Sequence, residues 1–191
     1  MNSSNNDEEL PSSEQDIAIL YTNFPTHELF LATTTMTLNK KRLIYPNSET
    51  NKSSSSSSST CSRRFADFEV DTIHKRVYCI CEDHDNAVPT PDGVVNTLVS
   101  ISLEDGSLQV IAQGNDFYST PVLSPDGTML AYVTWNHPSM PWDCTEIRVQ
   151  KLTPDDGSCD GEAILVHGNK NIDASSLEVL HYLGVVVIHQ V

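Results

Sequence analysis

The sequence is poor in positive charge. Lysine and arginine number 11 against 26 aspartates and glutamates, a formal net charge of −15. Nucleic-acid binders draw affinity from a basic stripe that releases phosphate counterions, and no such stripe is present. The same deficit argues against an anionic membrane surface. Long apolar runs are also missing. The longest near the end, Gly184-Val-Val-Val-Ile188, falls far short of the roughly 20 residues of a spanning helix. Helical periodicity of useful length is absent, a short turn around Ser175–Leu180 excepted. The first residues, Met1-Asn-Ser-Ser-Asn-Asn-Asp-Glu-Glu-Leu10, lack the basic flank and apolar core of a signal peptide. They also lack the arginines of a transit peptide, so a cytoplasmic location is expected. The five cysteines include no C-x-x-C pair, and their odd number fits reduced thiols. Cys79 and Cys81 share one face of a strand. A metal would need further ligands nearby, so they read as small core residues. No cofactor or metal is expected.

What the chain does contain is short β-branched and aromatic runs broken by turns. Residues 1–15 read as a polar acidic arm. Ile17–Phe24 and His27–Thr34 flank Pro25-Thr26 and read as a hairpin, with Arg42–Tyr45 a third strand. Residues 16–46 then form an incomplete first unit. Residues 47–63 hold a serine block, Ser53 to Ser59, and read as a low-complexity surface insertion.

From Arg64 a repeat emerges. One unit, 64–114, carries strands at Phe65–Asp71, Arg76–Cys81, Asn96–Leu103 and Leu108–Ala112. The next, 115–168, carries Ser119–Ser124, Met129–Thr134, Thr145–Leu152 and Ala163–His167. Glu82-Asp-His84 and Trp135-Asn-His137 are 53 positions apart, and Gly114 and Gly168 are 54 apart. Ser124-Pro-Asp-Gly127, Glu104-Asp-Gly-Ser107 and Asp155-Asp-Gly157 supply turns in which glycine takes the left-handed position. A period near 50 residues with four strands per unit predicts an all-β chain forming a partial β-propeller. It has about two complete four-stranded blades plus incomplete flanking ones. Residues 169–191 are a divergent tail or partial blade.

Four segments occur in one order: Arg64-Phe-Ala-Asp-Phe68, Asn115-Asp-Phe-Tyr-Ser119, Leu123-Ser-Pro-Asp-Gly127 and Trp135-Asn-His-Pro-Ser-Met-Pro-Trp-Asp143. Together they resemble the N-terminal propeller of the prolyl oligopeptidase family of serine peptidases. The nearest members are the acylaminoacyl-peptidase and dipeptidyl-peptidase-like ones. The Ser-Pro-Asp-Gly turn is common among propellers; the Trp-Asn-His-Pro string is far more specific. The resemblance covers 64–168 and stays in register over 17–46. It lapses in the serine block and beyond Ile172, where Ser-Leu-Glu-Val-Leu-His-Tyr-Leu-Gly184 replaces the expected Pro-x-Trp-Ser-Pro-Asp-Gly.

The resemblance implies a propeller that covers an α/β-hydrolase domain with a Ser-Asp-His triad and admits short or N-acylated peptides. That domain would follow the propeller. The nucleophile elbow G-x-S-x-G is absent. Gly157-Ser-Cys-Asp-Gly161 follows a turn and precedes a strand, so it reads as a loop, and no histidine is assignable as a triad base. The expectation is a regulatory, substrate-gating part without peptidase activity of its own, which meets peptide only together with a hydrolase domain. The alternative is a free-standing interaction module or a non-functional gene fragment. Open blade edges would then allow self-association. Two complete blades alone are expected to be marginally stable.

Individual residues carry further readings. His84 and His137 recur at one repeat position and read as structural, capping strand ends through the backbone. Asp67, Glu69 and Asp71 lie two apart, which reads as an exposed acidic strand face or the mouth of a channel rather than acid/base machinery. In a blade, the loop between second and third strands lies at the same end as the link between blades. Asn86–Val94, Asp116–Tyr118 and Pro138–Asp143 should therefore cluster. The resulting candidate hydrolase-facing interface comprises Asp116, Phe117, Tyr118, Met140, Trp142 and Asp143, its apolar members in loops. Local packing within the blades is the competing reading.

Overall fold

Alternating side chains decide the architecture. The computed structural model describes residues 17–23, 27–34, 39–45, 63–84 and 93–168. The readings for the arm, the serine block, most of the Asn86–Val94 loop and the tail lie outside these residues. Among the described residues, eleven strands form three antiparallel sheets. The first holds β1 (Ile17–Thr22), β2 (Leu29–Thr34) and β3 (Asn39–Tyr45). The second holds β4 (Arg63–Asp71), β5 (Arg76–Asp83), β6 (Val95–Ser102) and β7 (Leu108–Ala112). The third holds β8 (Phe117–Leu123), β9 (Met129–Trp135), β10 (Glu146–Lys151) and β11 (Ile164–His167). Each sheet is a meander in sequence order.

The sheets stack face to face because the middle one is apolar on both sides. Along β5, Val77, Cys79 and Cys81 join a core with Leu29, Ile44 and Phe65 of neighbouring strands. The intervening Tyr78 and Ile80 join Leu98, Tyr118, Leu130 and Tyr132 in a second core. The period-two pattern of a strand thus feeds two cores at once, as a blade between two others requires. Leu98 is fully buried, and truncation to alanine at such a site costs about 2–5 kcal/mol.

The repeat is visible in backbone detail. A bulge interrupts β4 between Ala66 and Glu69 and β8 between Ser119 and Val122. Asp67 and Thr120 take positive φ, 52° and 50°, within those bulges. Another bulge recurs in the fourth strand: Ile111 of β7 is the extra residue opposite Leu98 and Val99, and Val166 of β11 the extra residue opposite Ile147 and Arg148. The first sheet has the same irregularity between Leu29 and Phe30 against β3. Its strands therefore match the second, third and fourth of a blade. Among the described residues it has no counterpart of β4 or β8.

The three carboxylates of β4 depart from the sequence reading. The bulge breaks the alternation that would have put them on one exposed face. Asp67 Oδ2 accepts the Thr120 amide at 3.3 Å, and Glu69 Oε1 accepts the Leu123 amide at 2.9 Å. Asp71 is fully buried and holds the β4–β5 turn, accepting the amides of Ile73 and His74 through Oδ1. They join one blade to the next and close a turn.

Candidate functional site

The loops at one end of the sheets converge on Asp116. This residue lies in the link from β7 to β8, where Gly114 turns the chain at a φ of 98°. Its carbonyl accepts Asn96 Nδ2 at 2.7 Å, from the start of β6. Its amide donates to Asn136 Oδ1 at 2.8 Å, and its carboxylate accepts the His137 amide at 2.8 Å. One aspartate thereby ties the inter-blade link to both neighbouring strand ends. The loop from 136 to 145 is folded on itself by Asp143, whose Oδ2 accepts the Met140 amide at 3.0 Å and whose amide donates to the Met140 carbonyl at 2.9 Å. Met140 and Trp142 are left 46% and 54% exposed.

Two members of the expected interface are placed differently. Phe117 and Tyr118 lie in β8 rather than in a loop, because the turn residues end at Asp116 and the aromatics pair with β9 at once. Phe117 stacks on Trp135 with centroids 5.2 Å apart and meets the His137 ring edge-on at 4.9 Å. Tyr118 is buried against Tyr132, and its hydroxyl accepts the Asn115 amide at 3.0 Å. Burial raises its pKa. These two support the surface from below; Asp116, Met140, Trp142 and Asp143 stand at it.

A cleft of about 270 Å³ opens beside this loop, lined by Trp135, Asn136, His137, Pro138, Cys144 and Glu146 among others. Glu146 is buried and takes both Nε and Nη2 of Arg148 on one oxygen, at 3.0 and 2.7 Å. The pair neutralises the cleft wall. His84 lies 3.4 Å from Glu82 through Nε2, and the His137 ring packs on Phe117. The described contacts of both rings are thus to side chains, not the backbone capping expected.

The opposite end carries a cluster that the sequence did not reveal. His74 Nδ1 lies 2.6 Å from Asp71 Oδ2, and its Nε2 lies 3.0 Å from the Pro154 carbonyl of the next blade. Both partners are acceptors, so the doubly protonated ring satisfies both. Burial alone would lower its pKa; the Asp71 hydrogen bond, the Pro154 carbonyl and the charges of Asp71 and Asp156 together raise it. The Tyr78 hydroxyl donates to the Gly157 carbonyl at 3.0 Å, and burial pushes its pKa up. An Asp–His pair suggests half of a triad, but the far nitrogen faces a carbonyl rather than a nucleophile. It acts as an inter-blade joint. Cys159 sits in the β10–β11 connection, its thiol pKa raised by burial among the second core's residues. The connection leads from strand to strand, so it is a loop and not an elbow. Among the described residues no group of three metal-binding side chains is assembled.

No family model matches the chain, and no curated protein sequence matches it. Solved structures do. A puromycin-hydrolysing peptidase of Mycobacterium tuberculosis is 28% identical, with a TM-score of 0.59 over 81% of this chain. The chain matches the propeller of prolyl oligopeptidase-family peptidases. A puromycin hydrolase is also similar, at 22% identity and a TM-score of 0.62 over 78% of the chain. A TolB-type protein of Agrobacterium tumefaciens, 8% identical with a TM-score of 0.50, shares the fold alone. The chain spans 24% and 22% of the lengths of the two peptidases. Among the described residues no helix is long and apolar enough to cross a membrane.

Proposed function

We propose that this propeller portion gates substrate entry to a serine-type hydrolase domain of the prolyl oligopeptidase kind, in the cytoplasm, and itself performs no peptide hydrolysis. The substrates would be short or N-acylated peptides. The observation that carries the reading is the loop end built on Asp116, with Met140 and Trp142 exposed on a loop braced by Asp143. Exposed apolar side chains on a braced loop suit a surface that another domain covers. The likeness to two puromycin-hydrolysing enzymes supports the kind of domain.

The test is a titration of the 191-residue chain with a separately produced hydrolase domain of the Mycobacterium tuberculosis peptidase, followed by tryptophan fluorescence. Saturable binding, weakened about tenfold or more by Trp142→Ala, is expected. No binding, or binding indifferent to Trp142, contradicts the reading.

A further inference from the structure

Three side chains of the second sheet grip one connection of the third. His74 Nε2 meets the Pro154 carbonyl at 3.0 Å, Arg76 Nη1 donates to the Asp156 carbonyl at 3.3 Å, and the Tyr78 hydroxyl donates to the Gly157 carbonyl at 3.0 Å. Arginine keeps its proton throughout, and only the histidine is of a type that changes charge near neutral pH. Its side chain is 3% exposed and fills a slot between two turns. A Cβ on Gly127 would stand 3.1 Å from its Cε1, and one on Gly157 3.1 Å from its Cγ. The matching position one blade on, 53 residues later, is Gly127, so the ring is particular to this blade and not a feature of the repeat.

We propose that this joint is a pH-controlled latch between the second and third sheets: loss of the Nε2 proton to water frees the connection at 153–158 from His74 while the sheets stay folded. The Nδ1 proton stays, because it is held by the Asp71 carboxylate at 2.6 Å. The bare Nε2 then faces the Pro154 carbonyl oxygen, and two acceptors at that distance repel. Arg76 and Tyr78 keep their carbonyls, so the connection loosens at Pro154 without leaving the blade. The groups facing the ring are Asp71 and Tyr78 of the second sheet and Asp156 of the connection, with Arg76 reaching the Asp156 carbonyl. Asp126 belongs to the β8–β9 turn that Gly127 brings against the ring. Turn hydrogen bonds hold Asp126 and Asp156 down to about 2, and burial pushes Tyr78 up. None of these three changes charge near neutrality. The latch lies at the end opposite Asp116 and does not rest on the docking proposed there.

NMR of the 191-residue chain, titrated upward from below the ordinary histidine value of 6.5, reads the ring and the connection together. Imidazole nitrogen shifts are expected to show both nitrogens protonated at the low end and Nδ1 alone protonated at the high end. The Pro154 carbonyl carbon should move with the same midpoint. Backbone order parameters over 155–158 should fall from about 0.85 toward about 0.6. The matching turn of the second sheet, 104–107, carries no histidine and should stay rigid. His74→Gln should abolish the response. Asp71→Asn removes the charge, keeps an acceptor for the turn amides, and should bring the midpoint down by about one unit. A ring that keeps both protons until the chain unfolds, or a connection that stays rigid after the ring loses one, overturns the inference. So does the same loosening in His74→Gln or at 104–107, or an unmoved midpoint in Asp71→Asn.

Discussion

Asp67 and Thr120 occupy the same left-handed bulge position in successive blades, 53 residues apart, and the amide of the second donates to the carboxylate of the first at 3.3 Å. The site asks two things of residue 67: tolerance of positive φ and an acceptor on its side chain. Asparagine meets both, glycine the first, alanine neither. The expected order of stability in urea denaturation is Asp67 close to Asp67→Asn, then Asp67→Gly, then Asp67→Ala. The last should lose about 1–2 kcal/mol from the hydrogen bond and the strained backbone together.

His74 gives the chain a pH dependence of definite sign. Its folded pKa is raised from the ordinary 6.5. Its contribution is therefore complete below that value and is lost as the pH rises through the folded pKa. The groups around it are Asp71, Tyr78, Arg76 and Asp156. Urea midpoints should fall as the pH rises above the ordinary 6.5. His74→Gln should remove that fall. Asp105, Asp126 and Asp156 act oppositely, each held down to about 2 by turn hydrogen bonds. Their contribution is present above the ordinary 3.8 and disappears as the pH drops toward 2.

Gly106 and Gly161 share positive φ, 74° and 75°, but not surroundings. A Cβ on Gly106 would stand 2.1 Å from the Ile44 carbonyl oxygen, where the first sheet meets the second; one on Gly161 would meet nothing within 4 Å. Gly161→Ala should cost about 1 kcal/mol, the price of the backbone conformation alone. Gly106→Ala should cost at least about 2 kcal/mol more, since backbone must move. Thermal denaturation of the two variants decides it.

Cys79 and Cys81 are 0% and 3% exposed, and burial pushes both thiols up, that of Cys81 to about 12. Neither should react with a maleimide at neutral pH in the folded chain. Mass-resolved labelling should show modification of these two only on unfolding in urea. Rapid labelling without denaturant would contradict the two-sided packing of the middle sheet.

The sheets were legible in the sequence because a strand advertises itself by alternation, and β5 and β9 carry apolar residues at nearly every position. Turn chemistry at Ser124-Pro-Asp-Gly127 fixed the strand ends nearby. The bulges were not legible: nothing in Arg64-Phe-Ala-Asp-Phe68 announces a positive φ at Asp67, and so three carboxylates two apart suggested a face they do not form. Phe117 and Tyr118 were misread as loop residues because the turn-forming Gly114-Asn-Asp116 precedes them without a break. The His74–Pro154 contact joins residues 80 apart, and only the stacking of blades brings them together. At the Asp116 end, the sequence pointed to the segments 116–118 and 138–143 but not to Asn96, Asn136 and His137, the aspartate's three hydrogen-bond partners.

Hydrogen exchange of the chain with and without the hydrolase domain reads out which end of the propeller is covered. Slowed exchange is expected in residues 115–118 and 136–145, with the turns at 72–75 and 153–157 unchanged. Protection confined to those opposite turns, or none at either end, would contradict a gating propeller that docks through Met140 and Trp142.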